Sequence, residues 1–402
     1  MPLSRRPPPP PMANGDLYIG LMTGTSLDGV DAVLADLATR RPRVLAKLGL
    51  PLPVDLRGEL LALNTTGPDE LGRAAQAGNR LAVLYAGAVT DLLRQTGLTA
   101  PAILAIGCHG QTVRHRPDLG YTVQIGNAAL LAELSGIPVV SDFRSRDIAA
   151  GGQGAPLVPA FHSEMFRAVG GIDGAGNAGG VGGAGSARKT GEQGEDRAIL
   201  NLGGIANVSY IPQRGAVIGF DCGPGNCLLD LWAARHLRQP YDTNGAWSMT
   251  GTASPALLNH LLAEPYFAAP FPKSTGRDLF NERWLDGRLA AFPPTLPPED
   301  VQATLIDLTV RSIGLAIRSC GSVQALVVCG GGVHNQALLD RLKVSLSSLR
   351  VETSAAHGVD PDYVEALAFA WLAQRSMKGE TANLPAVTGA RGARVLGAVY
   401  PR

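Results

Sequence analysis

The stretch from Leu17 to Leu37, LYIGLMTGTSLDGVDAVLADL, constrains the fold of this chain more than any other. Two apolar runs, 17–22 and 30–37, flank a polar turn at 23–29, and polarity alternates along the second run, which predicts a β-hairpin. The turn holds two glycines and three hydroxyl residues, so its backbone N–H groups can point at an anion without obstruction. An ordinary solvent-facing turn is the alternative at this point.

Composition excludes several classes of protein. A chain of 402 residues exceeds the roughly 250–300 residues of a single core, so two domains are expected. Its 35 basic and 34 acidic residues create no field that favours nucleic acid or an acidic membrane. Five cysteines without CxxC spacing argue against a zinc site or a disulfide framework and favour a reducing compartment. With no apolar run long enough for a membrane span and no secretory signal, we expect a cytoplasmic protein.

Two segments differ in composition from the rest of the chain. Residues 1–14 contain a run of five prolines, which predicts a disordered tail. Residues 170–196 are rich in glycine and nearly free of large apolar side chains, which predicts a flexible insert. The expected domains are therefore 15–169 and 197–402.

Polar residues follow two predicted strands in the first half. The strand at 102–107 runs into Cys108-His109-Gly110-Gln111-Thr112, and the strand at 137–141 leads to Asp142-Phe143-Arg144-Ser145-Arg146-Asp147. Folds of the α/β class place ligands beyond such strand ends. For His109 the alternative is a side chain that merely satisfies its own loop.

The second half repeats the pattern of the first. Strands at 198–202 and 205–211 flank the turn Gly203-Gly204, and a strand at 325–329 opens into Gly330-Gly331-Gly332 before a helix. Two βββαβα-like halves, each begun by a glycine hairpin, predict two phosphate-binding turns and a third loop for adenosine.

Seven motifs carry a resemblance to a known family. They are GLMTGTSLDGVD (20–31), GCHGQTVRHRP (107–117), QIGNAALLAE (124–133), DFRSRDIAAGGQGAPLVPAFH (142–162), NLGGIANVS (201–209), FDCGPGN (220–226) and CGGGVHN (329–335). In this order they resemble the anhydro-N-acetylmuramic acid kinase family of the sugar kinase, heat-shock-protein-70 and actin superfamily. The resemblance implies an α/β fold of two actin-like (ribonuclease H-like) domains, each a mixed sheet flanked by helices, with a cleft between them.

The resemblance also implies an activity. Members use Mg²⁺ and ATP to convert 1,6-anhydro-N-acetylmuramic acid to N-acetylmuramic acid 6-phosphate in cell-wall recycling. Water opens the 1,6-anhydro bridge, and the oxygen released at C6 is phosphorylated. Homodimers are usual in the family.

The resemblance assigns residues to the nucleotide. Those expected around its phosphates and adenosine are Gly24, Thr25, Ser26, Asp28, Gly29, Gly203, Gly204, Gly330, Gly331, Gly332 and Asn335. Asp28 and Asp221 are the carboxylates expected near magnesium, directly or through water. For Asp221 the alternative is a cap at the start of the helix 227–236.

Other residues are assigned to the sugar. Asp147 is expected to be the base that activates water, since it matches the second aspartate of the family's DFRxxD motif. Asp142 is its rival, although an aspartate that leaves a strand often fixes a turn. One of Arg144 and Arg146, foremost Arg144, is expected to pair with the lactyl carboxylate of the substrate. A surface salt bridge is the alternative for both arginines and suits Arg146 better. The residues expected to hydrogen-bond the sugar are His109 and Gln111.

Other functions on this scaffold stay open at this stage. A chaperone would need a further peptide-binding domain, and a filament protein would leave the loops at 107–112 and 142–147 unexplained. A carboxylate kinase, a phosphatase or a sugar-binding regulator is the remaining alternative. Glu365, on a late predicted helix, is expected to lie outside the site. The two halves are expected to close on the ligands about a hinge.

Overall fold

The computed structural model describes residues 15–24, 27, 29–167, 194–277 and 279–402. The predicted tail at 1–14, nearly all of the predicted insert, and the turn residues Thr25, Ser26 and Asp28 lie outside these ranges. The first half contains the strands β1 Leu17–Thr23, β2 Gly29–Asp36, β3 Arg43–Pro51, β4 Ala105–Cys108, β5 Gln111–Arg116, β6 Tyr121–Ile125 and β7 Val139–Ser141. Its helices are α1 Val54–Ala62, α2 Glu70–Thr96, α3 Ala128–Ser135, α4 Ser145–Ala149 and α5 Val158–Phe166.

The second half contains the remaining strands and helices of the described ranges. Its strands are β8 Arg197–Leu202, β9 Ile205–Ile211, β10 Ile218–Pro224, β11 Ala325–Cys329, β12 Arg350–Thr353 and β13 Ala398–Tyr400. Its helices are α6 Cys227–Leu237, α7 Pro255–Leu262, α8 Pro265–Ala268, α9 Glu282–Ala290, α10 Pro298–Cys320, α11 Gln336–Ser345, α12 Val364–Met377 and α13 Pro385–Thr388.

The first sheet has the strand order β13-β7-β4-β1-β2-β3. Strands β1 and β2 form the predicted antiparallel hairpin, with Leu17 opposite Asp36, and β3 pairs antiparallel with β2. Strand β4 runs parallel to β1, and β7 runs parallel to β4. Every residue of β1 and β4 is buried, as expected for strands with helices on both faces. The carboxyl ends of β1, β4 and β7 therefore meet at one edge of the sheet.

The second sheet repeats this topology with the order β10-β9-β8-β11-β12. Strands β8, β9 and β10 are antiparallel neighbours, whereas β11 runs parallel to β8 and β12 runs parallel to β11. The predicted α/β fold of two mixed sheets, each begun by a hairpin, is confirmed.

The last part of the chain returns to the first sheet. Strand β13 pairs with β7, and helix α12 packs so closely on the sheet that only glycine fits beneath it. A Cβ on Gly20 would lie 1.8 Å from the carbonyl oxygen of Ala366, and one on Gly107 would lie 2.0 Å from that of Phe369. The boundaries 15–169 and 197–402 stay a prediction, and the pairing of β13 and the packing of α12 group these two elements with the first sheet.

Both sheets share part of their core. One apolar cluster unites α12 and α5 with Tyr18 of β1, Ile199 of β8 and Val327 of β11. Because this cluster includes buried strand residues from both halves, the halves pack against each other through α5 and α12. None of the helices in the described ranges is long and apolar enough to cross a membrane.

Candidate active site

The loops that the sequence singled out follow the carboxyl ends of parallel strands. In the first sheet they follow β1, β4 and β7. The loop after β4 lies next to the end of β1, because the backbone N–H of His109 donates to the carbonyl of Leu21 at 3.1 Å. In the second sheet the turn Gly203-Gly204 follows β8 and the loop 330–332 follows β11. Strand ends of this kind are where α/β folds bind ligands.

His109 and Arg144 contact each other beyond β4 and β7. The guanidinium of Arg144 donates to His109 Nε2, with N···N distances of 2.9 and 3.3 Å. Because arginine only donates, His109 accepts at Nε2 and carries its proton on Nδ1. Burial lowers the pKa of His109 to about 3, and the positive charge of Arg144 adds to this effect. The imidazole is therefore neutral at physiological pH.

Three carboxylates lie within electrostatic range of Arg144. Burial lowers the pKa of Arg144, and the negative charges of Glu365, Asp147 and Asp221, in that order, oppose this shift. Glu365 is in the first turn of α12; burial raises its pKa, and Arg144 opposes the shift. Glu365 also raises the pKa of the Cys329 thiol at the end of β11, after burial itself. Glu365 thus lies within electrostatic range of Arg144 and of the end of β11, although sequence reasoning left it outside the site.

Asp147 lies in α4 with its side chain fully buried. Its Oδ1 accepts hydrogen bonds from Asn383 Nδ2 at 2.6 Å and from Thr388 Oγ1 at 2.8 Å. Its Oδ2 accepts from the backbone N–H of Gly154 at 2.8 Å. The carbonyl of Gly154 in turn accepts from Arg144 Nη1 at 2.9 Å. Asp147 therefore connects the segment 383–388 to Gly154, whose carbonyl positions Arg144. The role of Asp147 as the base stays a prediction.

Asp142 and Gln111 occupy different surroundings. Asp142 is exposed, has a left-handed backbone (φ 56°), and accepts from Ser145 Oγ at 2.5 Å just before α4. Gln111 is buried, and its Nε2 donates to the carbonyl of Thr112 at 3.3 Å. Its Oε1 is buried without a hydrogen-bond partner among the described residues, so a ligand hydroxyl would satisfy it.

The two glycine turns are held by backbone contacts. The carbonyl of Gly203 accepts from Asn226 N at 2.9 Å, and that of Gly204 accepts from Gly225 N and Cys227 N at 2.9 and 3.0 Å. In the first half, the carbonyl of Gly24 accepts from Leu27 N at 3.2 Å. Packing against β3 requires glycine at position 29, because a Cβ there would lie 2.5 Å from the carbonyl oxygen of Leu50.

The loop after β11 packs on β8. Gly330 has φ 84°, and a Cβ on it would lie 2.4 Å from Asn201 Oδ1; a Cβ on Gly332 would lie 2.4 Å from Leu202 Cγ. By contrast, no described atom lies within 4 Å of the Cβ position of Gly331. Asn335 caps α11 by accepting from Leu338 N at 3.0 Å.

Asp221 lies at a bulge in β10 and is bound to a loop that sequence reasoning missed. Its Oδ2 accepts from the backbone N–H of Thr275 at 2.9 Å, and its own N–H donates to the carbonyl of Lys273 at 3.2 Å. The residue next to α6 is Asn226, so the observed contacts of Asp221 are with the loop 273–277 rather than with the start of that helix. The run KSTGR at 273–277 was the sequence signal that could have indicated this loop.

The available carboxylates suit a magnesium ion that is bound by few protein ligands. In the described ranges no group of three or more His, Cys, Asp or Glu side chains could hold a metal, and Asp28 lies outside them. Magnesium usually keeps several waters and binds one or two carboxylates together with substrate phosphates. The carboxylate of Asp221 suits that mode of binding, because it is half-buried and lies four residues before Gly225, whose N–H closes the turn Gly203-Gly204.

The chain is similar to known proteins over nearly its whole length. The family model described as anhydro-N-acetylmuramic acid kinase matches residues 16–186 and 186–402. The chain is 52% identical to the anhydro-N-acetylmuramic acid kinase of Pseudomonas putida over 389 residues, covering 96% of this chain and 99% of that protein. It is 53% identical to the protein of the same name from Bordetella petrii over 391 residues, covering 96% and 97%.

Solved structures resemble the chain more distantly. A 2-hydroxyisocaproyl-CoA dehydratase activator from Clostridium difficile with bound ADPNP has a TM-score of 0.43 at 14% identity, covering 90% of this chain and 97% of that chain. A glucokinase of the ROK family from Streptomyces griseus in complex with glucose and AMPPNP has a TM-score of 0.37 at 15% identity, covering 89% and 99%. Likeness of that degree identifies no activity. The family model and the nearly full-length identities show that the chain belongs to the anhydro-N-acetylmuramic acid kinase family.

Proposed function

We propose that this chain is an ATP-dependent kinase that acts on 1,6-anhydro-N-acetylmuramic acid. Water would open the 1,6-anhydro bridge, the oxygen released at C6 would take the γ-phosphoryl group of ATP, and the product would be N-acetylmuramic acid 6-phosphate. We place this reaction in cell-wall recycling in the cytoplasm, by a homodimer of two-domain subunits.

One observation carries the proposal beyond family membership. Arg144 lies within electrostatic range of Glu365, Asp147 and Asp221, which come from both halves of the chain. Its guanidinium is fixed by His109 and by the carbonyl of Gly154. The loops after β4 and β7 thus supply an oriented arginine and a buried acceptor without a partner in the described ranges, Gln111 Oε1. This combination suits an acidic sugar, because the arginine can bind the sugar's carboxylate and the acceptor can bind a sugar hydroxyl.

The base that activates water is proposed to be Asp147 or Asp221, because Asp142, the rival that the sequence offered, is exposed and accepts from Ser145 Oγ. Asp147 is assigned by the motif DFRSRD, but its carboxylate is fully buried and accepts from three protein donors. A base must come within about 3 Å of its water, although contacts in a free enzyme can rearrange when substrate binds. Asp221 is half-buried and lies within electrostatic range of Arg144. Burial favours Asp221, and Asp147 would act only if the loop 150–154 opens.

Phosphoryl transfer depends mainly on positioning and on charge. Gly24, together with Thr25, Ser26, Asp28 and Gly29, would bind the γ-phosphate from one side, and Gly203 and Gly204 would bind phosphates from the other. The loop 330–332 and Asn335 would face adenosine. Magnesium, held through Asp28 and, where Asp147 is the base, through Asp221 as well, would supply positive charge to the phosphates when bound.

Turnover with the proposed sugar tests this function. Purified protein is mixed with ATP, magnesium chloride and 1,6-anhydro-N-acetylmuramic acid, and the sugar is analysed by mass spectrometry. We expect a product heavier by one phosphoryl group and one water. Release of phosphate with an unchanged sugar would instead indicate a phosphatase, and no consumption of ATP would refute the proposal.

A further inference from the structure

The loop 273–277 is bound tightly to strand β10. Besides its two backbone contacts with Asp221, Lys273 Nζ donates to the carbonyl of Tyr266 at 2.9 Å, and the hydroxyl of Tyr266 donates to the carbonyl of Asp221 at 2.8 Å. Asn281 Nδ2 donates to the carbonyl of Arg277 at 3.0 Å. The backbone of this loop is therefore fixed at both ends.

This loop carries Arg277 to the second glycine turn. Arg277 Nη2 lies 3.8 Å from the position that a Cβ on Gly204 would occupy. Burial raises the pKa of Cys227, the first residue of α6, to about 12, and the positive charge of Arg277 is the largest effect that opposes the shift. Two independent neighbours thus locate the guanidinium at the turn Gly203-Gly204 and the start of α6.

Nothing in the described ranges neutralises this guanidinium. Arg277 is exposed, and none of the described carboxylates forms a salt bridge with it. Thr275 Oγ1, two residues earlier, is buried and lacks a hydrogen-bond partner among the same residues. Because the backbone N–H groups at the start of a helix also carry positive partial charge, an anion between them and the guanidinium would be stabilised from both sides. The arrangement therefore suits an anion.

We propose that Arg277 is a catalytic residue that binds the β- and γ-phosphate oxygens of the nucleotide at the turn Gly203-Gly204. The inference rests on the proposed function. In the transfer step, the bond between the γ-phosphorus and the β,γ-bridging oxygen breaks, and its electron pair leaves with ADP. Water bonds to C1 and gives its proton to the base while the bond between C1 and the bridging oxygen of the sugar breaks. That oxygen stays on C6 with the electron pair and forms the bond to the γ-phosphorus. Arg277 donates hydrogen bonds to the oxygens on which charge accumulates and transfers no proton.

Steady-state kinetics of Arg277→Ala, Arg277→Lys and Arg214→Ala test the proposal. Arg214 is the matched control, because it is an exposed arginine at the other end of β9, about 20 Å from the glycine turn by strand length. We expect kcat to fall at least 100-fold in Arg277→Ala and less in Arg277→Lys, with Arg214→Ala within twofold of the wild type. Added guanidinium at millimolar concentration should restore part of the activity of Arg277→Ala.

Two further measurements separate the possible failures. Equal melting temperatures of the three variants would show that the exposed substitutions leave the fold intact. A non-hydrolysable ATP analogue, titrated by calorimetry, should bind Arg277→Ala at least tenfold more weakly than Arg214→Ala. If the wild type ignores the sugar but this difference persists, the proposed function fails and the phosphate contact stands. If Arg277→Ala matches Arg214→Ala in kcat and in nucleotide affinity, the inference is overturned.

Discussion

Replacing Asp147 with asparagine tests whether this carboxylate supports the fold or performs the chemistry. Asparagine can keep the two hydrogen bonds that Oδ1 accepts from Asn383 and Thr388, but its amide NH₂ would face the N–H of Gly154. One hydrogen bond to the carboxylate is then lost, and a buried N–H stays unsatisfied. Each effect costs about 1–3 kcal/mol, and because they overlap we expect a loss of about 2–4 kcal/mol.

The expected loss converts to a change in melting temperature. Unfolding entropy of about 2.1 cal/mol/K per residue gives roughly 0.8 kcal/mol/K for 402 residues unfolding as one unit. Asp147→Asn should therefore melt about 2–5 °C lower, as measured by calorimetry. Asp221→Asn is the control: its carboxylate is half-buried, so we expect less than half this shift.

Activity of the same two variants completes the test. Asp221→Asn should lower turnover by a factor of about 10²–10⁴, the usual contribution of a general base. Asp147→Asn should lose turnover only as far as Arg144 is displaced, roughly tenfold. A variant Asp147→Asn that melts like the wild type and has lost turnover more than 1,000-fold would refute the structural role and make Asp147 the base.

Three further predictions concern packing, pH and the site. Gly20→Ala should lower the melting temperature by several degrees or prevent folding, because its Cβ would overlap the backbone of α12; Gly87→Ala, on the exposed face of α2, should be neutral or stabilising, and equal effects would contradict the packing argument. Burial lowers the pKa of His109 and of His162 in the folded protein to about 3, below the value in the unfolded chain. As the pH falls below 6.5, each histidine should therefore lower the free energy of unfolding by about 1.4 kcal/mol per pH unit. Melting scans between pH 8 and 5 would show this, and a His162→Gln variant with an unchanged slope would contradict it. Glu365→Gln should lower turnover at least tenfold, whereas full activity would place Glu365 outside the site.

The hairpins and strand ends could be predicted from the sequence because they depend on local patterns. Alternation at 30–37 and the buried run at 325–329 each determined a strand, and the glycines after them marked the turns. Strand β5 was missed because QTVRHR is largely polar and gains its stability by pairing with β6. Strand β13 was missed because its three residues are defined only by their pairing with β7.

Contacts between distant parts of the chain account for the rest of the site. Glu365 reads as an ordinary charge in the first turn of a helix, and only packing of α12 against the first sheet brings it to Arg144. The partners of Asp147, Asn383 and Thr388, lie more than 230 residues away in sequence. Such residues have no local signature, so the sequence indicated their loops but not their neighbours.

The central claim is that one cleft both opens the anhydro bridge with water and phosphorylates the released oxygen. Turnover of ATP and 1,6-anhydro-N-acetylmuramic acid in ¹⁸O-labelled water, followed by mass spectrometry and fragmentation of the product, tests it most directly. The account predicts one ¹⁸O at C1 and an unlabelled oxygen between C6 and phosphorus. Label at C6, or a phosphorylated sugar that still contains its anhydro bridge, would contradict it.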